Sequence, residues 1–245
     1  MERVKFAIIQ LGESKYKDEW NFLKKLKARE KSKLFEITSI SRVSLPQSDF
    51  WGYADATLSN LVKHSENADY TMCFIDYPLE GNFFVRRLSE KIGVATFYQT
   101  SNIFNASNVD LKNYIQLILY KSVALSKLNI KHDAISVLKQ FHDETRGCLF
   151  DMCGLKEDII IGATNPKICY ECEAKLRSTL LDADFLDVLD KELKRIKKPV
   201  YFRITDWIKK HPILTLAVAV GSTLLLSLIA MIIYDAILGL FVYCP

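Results

Sequence analysis

Four of the six cysteines in this chain of 245 residues lie close together, as Cys148-x4-Cys153 and Cys169-x2-Cys172. Two short pairs of this kind can bring four thiolates to one tetrahedral ion, and the Cys-x2-Cys spacing lets both sulfurs of a pair face a single site. Zn²⁺ is the ion such a donor set suits best. With four protein ligands no coordination position is left for water, so the expected role of the metal is folding rather than hydrolysis. The spacing favours Cys153 as the fourth ligand. His142, six residues before Cys148, is the alternative, since zinc also accepts three Cys and one His. In a reducing cytoplasm two disulfides are a poor alternative to metal, and Cys73 and Cys244 stand too isolated to join the group.

A second candidate is the loop Asp76-Tyr77-Pro78-Leu79-Glu80-Gly81-Asn82, which follows an apolar run and is rich in turn residues. Loops at strand ends often carry ligands, which makes Asp76, Glu80 and Asn82 candidate ligand-binding residues. The chain contains no GxGxxG, GxxxxGK[ST] or GxSxG, so dinucleotide, P-loop and hydrolase-elbow chemistries have no motif support.

The elements that must position these groups alternate. Val4–Gln10, Leu34–Ile40, Tyr70–Ile75 and Val94–Tyr98 read as strands, while Asp18–Glu30, Tyr53–His64 and Val109–Leu128 read as helices. Ala134–Phe141 continues as helix, and Leu176, Leu180, Phe185, Leu189, Leu193 and Ile196 form the stripe of a connecting helix over Glu173–Lys198. The expected fold class is α/β, a mixed sheet with flanking helices, followed by the Cys-rich zinc module and one C-terminal transmembrane helix.

The formal charge of +4 is local in origin. Residues 191–210 carry eight Lys/Arg against Glu192 and Asp206, whereas the 25 Lys/Arg and 26 Asp/Glu of residues 1–190 nearly cancel. A basic block of this kind needs no nucleic-acid duplex to explain it, because an apolar tail follows directly. From Ile213 to Tyr234 there are 22 residues without a charge, twelve of them Leu, Ile or Val, enough for one crossing of a hydrocarbon layer about 30 Å thick. The cations next to the span predict a cytoplasmic soluble part, and Val200–His211, with Tyr201, Phe202 and Trp207 among cations, fits a stretch lying at the headgroups. Met1–Gln10 has no secretory pattern, so the tail is the expected anchor. Asp235 falls either at the far interface or inside the layer facing a neighbouring helix.

The run His142-Asp-Glu-Thr-Arg-Gly-Cys148-Leu-Phe-Asp-Met-Cys153, with Lys156, Asp158 and the Cys169-x2-Cys172 pair, resembles the zinc-binding end of archaemetzincins. Val43-Ser44-Leu45-Pro46, the helix near Tyr53 and Asp76–Phe84 resemble that family's sheet region, so the likeness covers roughly residues 1–176. The resemblance implies a structural four-Cys zinc beside a catalytic HExxHxxGxxH helix. The chain departs from that pattern: it has no HExxH, and the corresponding helix reads Tyr120-Lys121-Ser122-Val123-Ala124-Leu125-Ser126, without a His ligand or a Glu base.

These features predict an α/β domain over residues 1–141, a zinc module over 142–176, a connecting and juxtamembrane segment over 177–212 and a span over 213–235. The expected function is that of a membrane-anchored, non-catalytic cytoplasmic sensor or adaptor on a degenerate metalloprotease scaffold, with lipid and either a protein or a small ligand as partners. Two alternatives stand beside it: a membrane-disrupting effector of the kind used in bacterial antiviral defence, in which a ligand drives homo-oligomers of Asp235-bearing helices, and a nucleotide-binding or nucleotide-processing domain built on the Asp76–Asn82 loop.

Overall fold

The computed structural model describes residues 2–47, 51–127, 141–178 and 183–242. Five strands, β1 (Val4–Leu11), β2 (Phe35–Val43), β3 (Tyr70–Ile75), β4 (Val85–Ser89) and β5 (Ile92–Thr96), form one sheet in the order β2-β1-β3-β5-β4. All neighbours are parallel except β4, which runs antiparallel to β5 at the edge. The sheet is therefore mixed, as expected for this α/β chain.

Alternation along the strands splits the apolar residues between two faces. Phe6 and Ile8 of β1, Met72 and Phe74 of β3 and Ala95 of β5 join one core with α1 (Lys17–Arg29) and the long α4 (Leu111–Lys127). Ile9, Leu11, Cys73, Ile75 and Val94 face the other way, under the short α2 (Asp55–Leu61). The first face is the thicker. Phe74 stacks on Phe97 with ring centroids 5.5 Å apart, and Tyr114 of α4 meets Phe97 edge-on. Each such buried side chain contributes about 1.5–3 kcal/mol by leaving water.

Beyond α3 (Thr100–Ala106) and α4 the chain runs through the Cys-rich turns, α5 (Ile159–Thr164) and α6 (Tyr170–Ser178) to α7 (Ala183–Leu193). Of the connecting helix expected over Glu173–Lys198, the stretches within Tyr170–Ser178 and Ala183–Leu193 are helical, residues 179–182 lie outside the described residues, and the helix ends at Leu193 rather than at Lys198. Two further readings change. The helix expected over Tyr53–His64 narrows to α2, because Val62 is extended and its side chain is buried. Strand β4 was not foreseen. Of the segment Ala134–Phe141, residues 134–140 lie outside the described residues.

The chain divides into two compact units, Met1–Lys198 and Pro199–Pro245. The first contains the sheet and the Cys-rich turns together. The second contains α8 (Val200–Lys210) and α9 (Pro212–Val242), in which Pro212–Asp235 is long and apolar enough to cross a membrane.

Candidate metal centre

Two turns build the cysteine site. At Gly147 the backbone takes φ +74°, which suits glycine, and the chain then forms a bridge between Cys148 and Lys167. Lys167 N–H donates to Gly147 O at 3.0 Å and Leu149 N–H to Lys167 O at 2.8 Å. This bridge brings Cys169 beside Cys148. Cys169 also precedes α6, so that Cys172 falls in the first turn of that helix, where the N-terminal dipole favours a thiolate.

The Sγ atoms of Cys148, Cys169 and Cys172 and a ring nitrogen of His142 all lie within 4.8 Å of one another. The fourth place is taken by His142, which a bridge to Asp151 holds at the rim, and not by the Cys153 that spacing favoured. Cys153 sits outside the group, buried and with φ +54°, and burial pushes its thiol up to about 11. The turn that places Cys148 leaves its Cys-x4-Cys partner pointing elsewhere, a result that counting residues does not reveal.

The donors are prepared for a cation. His142 Nδ1 lies 2.8 Å from Glu144 O, so a proton there leaves Nε2 with a free lone pair, and Cys169 Sγ lies 3.5 Å from that Nε2. Cys148 Sγ accepts backbone N–H bonds from Cys169 at 3.3 Å and Phe150 at 3.5 Å, and such bonds stabilise a thiolate. Burial is the largest influence on Cys169 and opposes its charge, but the hydrogen bonds from Cys172 and Cys148 help to outweigh it, and its pKa comes down to about 7. At Cys148 and Cys172 burial dominates and raises the thiols.

Asp151, unremarked in the sequence, organises this corner. Its Oδ2 accepts the N–H groups of Arg146 at 3.0 Å and Cys148 at 2.9 Å. Its Oδ1 is buried without a hydrogen bond, 3.4 Å from His142 Nε2. A cation held by the four donors would meet that oxygen's unmet need, so the residues present fit a zinc ion. Lys121 of α4 reinforces the turn by donating to Asp151 O at 2.9 Å, with its ammonium 4.5 Å from the centre of the Phe141 ring. Its place inside the Cys148–Cys153 interval was the only signal Asp151 gave, and the stretch Tyr120–Ser126 gave none for Lys121.

The loop residues do not converge. Asp76 turns inward and accepts from Ser14 Oγ and Lys15 N–H, both at 2.8 Å, which fixes the turn after β1. Asn82, at φ +56°, accepts from Lys156 Nζ at 2.6 Å and donates to Gln99 Oε1 at 3.0 Å. Glu80 stands exposed in a short 3₁₀ turn between them. Asp235 lies on the exposed surface of α9 at the end of the candidate span.

No family model and no curated protein matches this chain. Among solved structures it is similar to the archaemetzincin of Methanopyrus kandleri, at 14% sequence identity over 73% of this chain and 96% of that one, with a TM-score of 0.44.

Proposed function

We propose that the chain is a membrane-anchored, non-catalytic cytoplasmic adaptor, with its α/β domain stiffened by a structural zinc ion on His142, Cys148, Cys169 and Cys172. The observation that carries this reading is the convergence of those four donor atoms within 4.8 Å of one another, the number of protein ligands a structural zinc takes. Bound there, zinc would act as a cross-link between the turn at Cys148 and the start of α6, with two of its donors, Cys148 and Cys172, buried away from water. The absence of an HExxH pair from the sequence supports a binding role, and the 24-residue apolar helix supports single-pass attachment.

The test is elemental analysis of the full chain purified in detergent, combined with chelation. One zinc per chain and a large loss of stability on chelation are expected, since structural sites contribute on the order of 10 kcal/mol to folding in small modules. A folded, metal-free chain indifferent to chelator would overturn the reading, as would metal-dependent peptide cleavage.

A further inference from the structure

Apart from the cysteine site, a cavity of about 260 Å³ opens between α1, the turn after it, α4 and the residues just after α7, lined by residues that include Lys25, Arg29, Lys31 and Arg195. Its wall is aromatic and aliphatic, with Phe35 and Tyr120 buried and Phe22 and Leu26 partly so. Among the described residues no carboxylate lines it, and none of the four cations makes an ion pair. Ion pairs elsewhere involve a minority of the cations, among them Arg3 with Glu30 and Glu36, Arg86 with Asp55 and Arg146 with Glu144 and Glu171, so what sets this opening apart is that four cations from separate segments line one cavity with no carboxylate among its lining residues.

The acid nearest in sequence to Arg195, Glu192, is already committed. Its carboxylate accepts from Ser32 Oγ at 2.6 Å, Lys33 N–H at 2.7 Å and Tyr120 Oη at 2.9 Å. A helix C-terminus favours cations, which accounts for Arg29 in the last turn of α1. It does not account for Arg195, which comes from the other end of the domain's sequence to the same opening. Like charges gathered around a small cavity repel one another until an anion enters, and Arg forks suit tetrahedral oxyanions.

We propose that this cavity binds a phosphate group, with Lys25, Arg29, Lys31 and Arg195 as its cationic rim. The group comes either from a free phosphate or phosphate monoester or from an anionic lipid head, chemistries that the rim does not distinguish.

The experiment uses the full chain in nanodiscs. In one arm inorganic phosphate is titrated calorimetrically into discs of neutral phosphatidylcholine. In the other, discs containing phosphatidic acid are compared with neutral ones by thermal unfolding, without free phosphate. Binding of inorganic phosphate that weakens roughly tenfold or more in the R29E/R195E double variant, and not in an R203E/K209E control on α8, supports the site and a soluble ligand. Stabilisation by phosphatidic acid alone, lost in the same double variant, supports the site and a lipid source. Should R29E/R195E not fold, K25A/K31A, which removes two exposed charges without reversing any, is expected to weaken binding about threefold. No response in either arm, or responses unchanged by the rim variants, overturns the proposal.

Discussion

Tyr120 Oη donates a 2.9 Å hydrogen bond to Glu192 Oε2, joining the middle of α4 to the last turn of α7 in a buried site. Because Ser32 and the Lys33 amide bond the same carboxylate, Glu192 ties the start of β2 to both helices. Removing it strands three donors. Glu192→Ala is therefore expected to destabilise the domain by about 3 kcal/mol, whereas Tyr120→Phe, which removes one donor and leaves the other two bonds, costs about 1 kcal/mol. Equilibrium denaturation of both variants checks the difference.

The two cysteines of the Cys-x4-Cys pair have different fates. Cys148→Ser is expected to lower zinc content from one per chain to near zero and to destabilise the domain, while Cys153→Ser, at a buried site outside the donor group, keeps the metal and costs about 1 kcal/mol. Elemental analysis of the two purified variants decides the matter.

Asp151 holds the Cys148 turn and faces His142, so its loss acts on the metal without removing a ligand. Asp151→Asn is expected to weaken zinc affinity by about 10- to 100-fold with the fold retained. Competition against a chromophoric chelator measures it.

Without metal, the Cys169 thiol ionises near pH 7, below its unfolded value of 9.0, so its thiolate contributes stability that is complete above pH 9 and is lost as pH falls through 7. At pH 7.5 the stripped chain should be alkylated first at Cys169, which is also less buried than Cys148 or Cys172, and zinc should protect it. Mass spectrometry of iodoacetamide-treated protein before and after chelation reads the order of modification.

The apolar helix makes its own prediction. Leu225 lies near the middle of Pro212–Asp235, and an arginine at the centre of a span costs about 2.5–3.5 kcal/mol. Leu225→Arg should shift part of the protein out of membranes that resist alkaline carbonate extraction in the unaltered chain.

Much of this architecture is written in short stretches of sequence. Val4–Gln10 and Tyr70–Ile75 show as strands because buried central strands are mostly apolar on both faces, interrupted here only by Lys5, Gln10 and Thr71, and α4 shows because one long face packs against the sheet. Strand β4 escapes the same reading: Val85-Arg86-Arg87-Leu88-Ser89 sits at an edge, half-exposed, with Arg86 drawn to Asp55, so its composition resembles a loop. The candidate metal donors are legible as residue types but not as a set. Spacing counts positions along the chain, whereas the choice between His142 and Cys153 depends on the left-handed turn at Gly147 and on the bridge that sets Cys148 against Lys167. Asp76 and Asn82 stand out in the sequence for their place after a strand, and hydrogen bonds with Ser14, Lys15, Gln99 and Lys156 occupy them.

The buried amide of Asn113, on the first turns of α4, donates both to Ala163 O at 3.0 Å and to Lys197 O at 3.1 Å. That second bond falls two residues before Pro199, where the second unit begins. A force drawn along the C-terminal segment would thus load the central helix of the domain at once rather than first peeling away a loose end, and mechanical unfolding from that terminus should begin with an abrupt, high-force event.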